Sequence, residues 1–312
     1  MDEFIFLSLE NIDDILTFSR VCKKGNEIYK KWKNEWYTIH TQITKDVDEY
    51  GDKRETKIVG NRKYITAWYR SGDKKYKREL KNGEFEGKCF GWYICGKKQY
   101  EEEYKNGKLE GKTFWWYRDN NKMDEREFKN GKPDGKWFRW YGNGNKESEE
   151  EYKNGKEEGK CIGWYQSGTI RYEGEYKDGK REGKHTEWYD NGTIRYEGEF
   201  KNGRKEGKRI LWWEGGNKMY EEEYKNGKEE GKWFEWYEND NKRIEGEFKN
   251  GKEEGKWIVW YMDGNKNYEE GEYKNGKKEG KWIEYCNGNK MCEKEYKYGS
   301  LIEDKYFTLK NE

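Results

Sequence analysis

A repeat of 24 residues is the sequence feature that most constrains the fold of this chain. The octet KNGKEEGK occurs unchanged at 153–160, 225–232 and 249–256, and close variants of it recur along the sequence. Successive first glycines of these octets are 24 residues apart, with a final step of 25: Gly83, Gly107, Gly131, Gly155, Gly179, Gly203, Gly227, Gly251 and Gly276. A fixed period of this length indicates stacked supersecondary units, each stabilised by its neighbours.

Each period contains two short stretches that predict β-strands. An aromatic stretch such as WFEWY at 233–237 precedes a turn, and a stretch such as YEGEY at 172–176 leads into the next octet. Aromatic runs bounded by Asn, Asp and Gly are typical of strands joined in hairpins, and glycine recurs too often for a helix. The Asn-Gly pair of the octet supplies the positive φ angles of a tight turn. We therefore expect a mostly β fold, an elongated single-layer antiparallel sheet of about ten stacked hairpins.

The composition fits such a thin sheet. Charged residues make up 41% of the 312 residues, which alone favours disorder, whereas 18% are aromatic, including 17 Trp and 27 Tyr. The two signals are compatible if the aromatic residues lie at fixed spacing and the charged residues fill the positions between them. Such a pattern describes a fold with a narrow apolar layer and a large surface. The net charge of +1 shows neither the basic excess of a nucleic-acid binder nor the basic clusters of a peripheral membrane protein.

The residue types that carry enzyme chemistry are not arranged for it. The six cysteines form no CxxC pair, and His40 and His185 are the only histidines, so no zinc spacing is present. Neither a GxSxG nor a P-loop motif occurs. Paired glutamates such as Glu173 and Glu175 recur in every hairpin, which favours neutralisation by Lys and Arg across strands. We predict a non-catalytic protein without a cofactor or metal. The start MDEFIFLSLEN lacks the pattern of a signal peptide, so we expect a cytoplasmic protein.

Alternation along the first strand of each repeat separates two faces. Phe234 and Trp236 share one face and have close equivalents in most repeats, so we expect that face to form the buried layer. The other face varies between repeats, as a partner-binding surface would, although relaxed constraint on a solvated face gives the same variation. The candidate partner-binding residues are Trp137, Tyr141, Tyr165, Tyr189, Trp213, Trp233, Tyr237, Trp257 and Tyr261.

The unit YKNGKxEGKWxxWYxNGxxxYEGEY resembles the MORN repeat in its variant form with KNGKxxG. The resemblance covers about residues 80–305, and 56–79, with YITAWYRSG at 64–72, is similar to a degenerate first unit. It implies an elongated single-layer antiparallel sheet and a role in holding other proteins or organising assemblies. Some members of that family are associated with membranes or phosphoinositides.

The N-terminal residues lack the octet and show helical spacing. The stretch IDDILTFSRVCKKGNEIYKKWKNEWY at 12–37 resembles the second half of an F-box, with Ile15, Leu16, Val21, Cys22 and Trp36 at the matching positions. This resemblance implies docking to a Skp1-like adaptor of a ubiquitin ligase. A small helical cap that shields the first hairpin is the alternative. F-box-like heads on such repeats are similar to proteins of large DNA viruses that infect amoebae.

These observations predict four segments. They are a helical, F-box-like cap at 1–48, a degenerate first repeat at 49–79, nine 24-residue hairpin repeats at 80–299, and a C-terminal capping strand at 300–312. The leading hypothesis is a protein–protein interaction scaffold. The alternatives are an F-box-type adaptor that recruits substrates to a ubiquitin ligase, and an architectural component of a viral particle or large assembly that contacts viral structural proteins. A viral protein would lie in the host cytoplasm or the virion.

Overall fold

Pairs of positive φ angles at the octets explain why the chain reverses direction there. The structure is a computed structural model, which describes residues 41–264, 269–286 and 289–307. At one turn φ is 52° for Asn154 and 87° for Gly155, and similar values recur at the other octets. Two successive positive φ angles form the turn whose twist matches that of the flanking strands. The prediction of a mostly β chain of antiparallel hairpins is confirmed.

The chain divides into two units, Met1–Gly144 and Asn145–Glu312. In the described part of the first unit, consecutive strands pair antiparallel. Its strands are β1 (Thr41–Val47), β2 (Lys53–Val59), β3 (Arg62–Trp68), β4 (Lys74–Lys81), β5 (Glu84–Phe85), β6 (Gly87–Trp92), β7 (Lys98–Lys105), β8 (Lys108–Leu109), β9 (Gly111–Trp116), β10 (Lys122–Lys129), β11 (Lys132–Pro133) and β12 (Gly135–Trp140).

The second unit continues the same pattern in the part that the structure describes. Its strands are β13 (Lys146–Lys153), β14 (Lys156–Glu157), β15 (Gly159–Trp164), β16 (Ile170–Lys177), β17 (Lys180–Trp188), β18 (Ile194–Lys201), β19 (Arg204–Trp212), β20 (Lys218–Lys225), β21 (Lys228–Glu229), β22 (Gly231–Trp236), β23 (Lys242–Lys249), β24 (Lys252–Val259), β25 (Glu269–Lys274), β26 (Lys277–Cys286), β27 (Asn289–Lys297) and β28 (Ser300–Tyr306). Within the unit, consecutive long strands pair antiparallel, from β13 with β15 to β27 with β28.

One part of the predicted N-terminal segment is corrected by the structure. Residues 41–47, placed in the helical cap at 1–48, form β1, because TQITKDV pairs over its whole length with β2. Residues 1–40, where the rest of the predicted cap lies, are outside the described residues. At the other end, Ser300–Tyr306 form a strand as expected for a closing element. Leu301, Ile302 and Tyr306 are at least half exposed, so they do not cover the preceding hairpin.

In most octets the glutamate before the second glycine joins one turn to the next. The Oε2 atom of Glu158 accepts a hydrogen bond from the backbone N–H of Asp178 at 2.9 Å, and Glu230 does the same for Asn250 at 2.8 Å. The glycine that follows donates its own N–H to the preceding octet, as Gly179 does to the carbonyl of Glu157 at 2.9 Å. Because most octets accept from the next octet and donate to the preceding one, their sequence is fixed by stacking as well as by the turn.

The apolar layer is thin. Tyr196, Tyr224 and Trp282 are the only buried aromatic side chains among residues 41–264, 269–286 and 289–307. Most other rings in that part are half-buried, since a single sheet covers each side chain mainly with its immediate neighbours. Large half-exposed rings therefore remain at the surface of both units.

Candidate protein-interaction surface

The pairing of the strands defines two faces of the sheet, since directly opposed residues of an antiparallel ladder lie on the same side. Face A contains Trp233 and its opposed residue Gly246. Face B contains Phe234, Trp236 and the opposed Lys242. The same assignment applies to the equivalent positions of the other repeats.

The expectation that the Phe–Trp face forms the buried layer is wrong. The side chains with the smallest exposed fractions lie on face A, among them Trp282 at 3% and Cys161 at 7%, whereas Phe234 and Trp236 are half-buried. The cause is glycine in the neighbouring strand. A Cβ atom at Gly246 would lie 2.3 Å from the ring of Trp257, so the indole packs directly on the glycine backbone.

The nine candidate partner-binding residues are all half-buried. Trp137, Trp233 and Trp257 lie within strands, and the other six follow a strand end by one or two residues. Several tyrosines of the second group bind the next repeat. The hydroxyl of Tyr165 donates to the carbonyl of Trp188 at 2.7 Å, and that of Tyr189 donates to the carbonyl of Trp212 at 2.8 Å. These groups have a structural role between repeats, and their role in partner binding stays a prediction.

Face A of the second unit carries a row of rings in edge-to-face contact. The centroid of Trp257 lies 5.1 Å from that of Phe248, with planes at 85°, and 5.7 Å from that of Tyr273. Trp282 continues the row at 4.9 Å from Tyr273. Each such pair contributes about 0.5–1.5 kcal/mol beyond the burial of apolar area. The row therefore stabilises the stacking of consecutive hairpins.

At residues 157–202, the variant segment, no tryptophan takes part in the row, which continues through Tyr176, His185 and Phe200. Cys161 stands where later repeats have Trp233, Trp257 and Trp282, and the opposed residue is Gly174. A cavity of ≈ 300 Å³ lies there, lined among others by Cys161, Tyr172, Tyr176, His185, Arg171, Arg181, Arg195, Glu150, Glu157 and Glu187. Tyr176 and His185 meet edge-to-face, with centroids 5.7 Å apart and planes at 82°.

Burial favours the neutral form of several groups in the wall of this cavity, which lie beside its arginines and glutamates. Burial, followed by the nearby Glu150 and Glu157, raises the pKa of the Cys161 thiol to about 11. Burial also raises the pKa of Tyr172 to about 12 and lowers the pKa of His185, whose Nε2–H donates to the Glu175 carbonyl at 2.9 Å. At neutral pH Cys161 is a thiol, which is a poor nucleophile.

Lysines cover the indoles of face B in most repeats. The ammonium of a lysine lies 5.0–5.8 Å from the ring centroid of a tryptophan 18 residues later, in a cation–π contact. The pairs are Lys74–Trp92, Lys98–Trp116, Lys122–Trp140, Lys146–Trp164, Lys218–Trp236 and Lys242–Trp260. These lysines commonly also pair with a glutamate, as Lys218 does with Glu221 at 2.6 Å. The predicted neutralisation across strands is present as well, since Lys208 of the neighbouring strand lies 2.6 Å from Glu221.

The variant segment differs on face B as well. Ile170 and Ile194 occupy the positions of these lysines, and each is 38% exposed. The half-buried indoles of Trp188 and Trp212 stand where the other repeats have a lysine-covered ring. Ile170, Ile194, Trp188 and Trp212 form what we call the isoleucine patch. A shallow depression of ≈ 460 Å³ lies beside Trp188 and Ile194.

Sequence reasoning did not find the cavity or the isoleucine patch. Both had a signal in the sequence: Cys161 replaces the tryptophan found at the equivalent position of four repeats, and Ile170 and Ile194 replace a lysine that recurs in most repeats. The two departures fall in consecutive repeats.

Other predicted features can be placed only in part. The F-box-like residues Ile15, Leu16, Val21, Cys22 and Trp36 lie outside the described residues. Within residues 41–264, 269–286 and 289–307 no group of three or more His, Cys, Asp or Glu side chains is placed to hold a metal ion. The same residues contain no helix of the length and hydropathy that a membrane span requires.

Comparison with protein families gives one match. Five stretches in the middle of the repeat array match the model of the MORN repeat variant: residues 133–154, 157–178, 181–202, 205–226 and 229–250. The variant segment contains two of these stretches. No curated protein matches the chain.

Proposed function

We propose that this chain, with five repeats of the MORN variant across residues 133–250, is a non-catalytic scaffold that binds a protein partner through its variant segment. Repeats of this family are typically protein- or membrane-binding modules, which supports a binding role. The observation that carries the proposal is the isoleucine patch. In this patch, isoleucine replaces the lysine that lies over a face B tryptophan in other repeats.

The physical chemistry of an interface favours this patch. Burying Lys218 or Lys242 under a partner would remove an ammonium from water and disturb its ion pair with a glutamate. Burying Ile170 and Ile194 carries no such cost and removes apolar area from water. Tryptophan at the centre of an interface is also among the residues that contribute most to binding. Alternating Lys and Glu around the patch supply the polar rim.

A double substitution tests the proposal because the chain provides its own template. Ile170→Lys with Ile194→Lys restores the residue found at the equivalent positions of other repeats, so the fold should be retained. We expect the wild-type chain, immobilised and exposed to an extract of its source cells, to bind a partner saturably and the double variant to lose it. Lys218→Arg with Lys242→Arg is the matched control and should retain the partner. Equal binding by all three proteins would contradict the proposal.

The two alternative functions remain separate proposals. A substrate-recruiting adaptor should bind a Skp1-like protein and lose it when Leu16→Asp is combined with Val21→Asp. An architectural role predicts that the chain occurs at fixed copy number in purified viral particles or assemblies. A cytoplasmic location, and the absence of catalytic activity, are parts of the main proposal that fractionation and activity screens would test.

A further inference from the structure

The surroundings of Cys161 match those of a tryptophan elsewhere in the same unit. Cys161 lies between Glu150 on the preceding strand and the opposed Gly174. Trp233 lies between Glu222 and the opposed Gly246 in the same arrangement. The two sites therefore provide similar space, which one fills with an indole and the other with a thiol.

Trp233 shows what a ring does in this position. Its centroid lies 5.1 Å from that of Phe248 and 6.3 Å from that of Tyr220, at tilted and edge-on angles. At Cys161 the corresponding volume is the ≈ 300 Å³ cavity, with Tyr172, Tyr176 and His185 among its walls. An apolar cavity of about 150 Å³ is enough to bind benzene. The volume beside Cys161 is therefore sufficient for a two-ring side chain.

The cavity occurs here and not at the other cysteine in the same sequence context. Cys89 also stands in a KCxGW stretch, but its opposed residue is Glu102 instead of glycine. The hydroxyl of Tyr104 donates to Glu102 at 3.0 Å, and Arg78 donates to the hydroxyl of Tyr100 at 3.2 Å. These larger side chains leave Cys89 only 2% exposed. A Cβ atom at Gly174 would lie 2.2 Å from the His185 ring, so that ring already covers the glycine, and the small thiol of Cys161 in the place of an indole is what leaves the cavity open.

We propose that this cavity binds one aromatic side chain, of indole or phenol size, that a partner protein inserts into the ring row of face A. The proposal rests on the proposed function, since it names the chemistry by which a partner is recognised. The thiol of Cys161 and the rings of Tyr172, Tyr176 and His185 offer an incoming aromatic ring edge and face contacts. Arg171, Arg181, Glu150 and Glu157 also line the cavity and present both charge signs, which suits the mixed polar surface around an anchoring residue of a protein.

The test uses 5-fluoroindole as the probe and fluorine NMR of the full chain. We expect the wild-type protein to broaden and shift the probe signal in a saturable manner. Cys161→Trp, which places the chain's own indole in the space as Trp233 does, should abolish the effect. Cys95→Trp is the matched control, because it makes the same substitution at an exposed cysteine and should leave binding unchanged. Circular dichroism establishes whether each variant is folded.

Each outcome decides the question. An unchanged probe signal with the wild-type chain overturns the proposal, as does full binding by a folded Cys161→Trp variant. If Cys161→Trp does not fold, Cys161→Met fills part of the cavity with a flexible side chain and should weaken binding. The isoleucine patch lies on the opposite face and is tested separately. If Ile170→Lys with Ile194→Lys abolishes partner binding while the wild-type chain does not bind the probe, the cavity proposal is refuted and the scaffold function still stands.

Discussion

The Oε2 atom of Glu206 accepts a hydrogen bond of 2.7 Å from the backbone N–H of Asn226, twenty residues later in the next turn. Equivalent bonds recur along both units, from Glu110 to Asn130 at 2.7 Å and from Glu254 to Asn275 at 2.8 Å. The carboxylate thereby satisfies a backbone donor that a tight turn would otherwise leave to water. The octet therefore forms the turn between two strands and also holds consecutive turns together through hydrogen bonds.

Glu206→Ala should lower the free energy of unfolding by about 1 kcal/mol, the usual contribution of a side chain that accepts from an otherwise unpaired backbone N–H. Urea denaturation of the full chain measures it. Glu238→Ala is the control, because Glu238 lies exposed in a turn, where its carbonyl accepts from the side chain of Asn217. Equal stability of the two variants would remove the role assigned to Glu206.

Asn226→Ala should be destabilising and Asn226→Gly close to neutral. Asn226 has φ of 53°, a left-handed conformation that costs a residue with an ordinary Cβ about 1–2 kcal/mol and costs glycine little. Thermal unfolding of the two variants provides the comparison. A higher melting temperature for the alanine variant than for the glycine variant would show that the turn does not retain this geometry in solution.

Arg209→Met should destabilise the second unit more than the double variant Arg209→Met with Glu222→Gln. The Arg209 guanidinium lies 2.9 Å from Glu222, whose side chain is only 5% exposed, so removing the cation leaves a buried carboxylate without its counter-charge. Breaking such a pair costs about 3–5 kcal/mol, whereas neutralising both partners costs much less. A double-mutant cycle by chemical denaturation tests this, and strictly additive effects would contradict the coupling.

Acidification should weaken the fold through His185. Burial lowers the pKa of His185 in the folded chain, with the nearby Arg181 acting in the same direction. The unfolded chain therefore binds a proton more readily, and the free energy of unfolding falls as the pH decreases through the ordinary histidine pKa of about 6.5 towards the lowered folded value. His185→Gln, whose amide retains a donor for the Glu175 carbonyl, should have a flatter dependence below that pH. Parallel slopes for the two proteins would exclude His185 as the cause.

Tyr189→Phe should lower stability by about 1 kcal/mol without the loss of partner that the isoleucine patch variants are expected to show. Its hydroxyl donates to the carbonyl of Trp212 at 2.8 Å and joins consecutive repeats, and a hydrogen bond of this kind contributes about 0.5–1.5 kcal/mol. Tyr298→Phe, at a residue that is 72% exposed, is the control. Loss of the partner at unchanged stability would instead assign Tyr189 to the binding surface.

The sequence was sufficient to predict the strands, the turns and the pairing of carboxylates with cations. The turn at Asn154 and Gly155 was predictable because it depends only on the φ preferences of these two residues. The placement of Phe234 and Trp236 on one face follows from the alternation of side chains along a strand. The sheet face that each ring occupies was also predictable. The exposed fraction of each ring was not predictable, because it depends on the residues of the neighbouring strands. Gly246, on the strand before Trp257, is an example, since the indole packs directly on its backbone.

What the sequence determined by itself is thus the repeating hairpin, since φ preferences and strand alternation act over a few consecutive residues. Only the tertiary structure decided where the surface departs from the repeat. The cavity beside Cys161 arises because Glu150, Cys161 and Tyr172, each eleven residues from the next in sequence, come from three neighbouring strands. Their combined volume, which sets the space that remains, becomes visible only once the strands lie side by side.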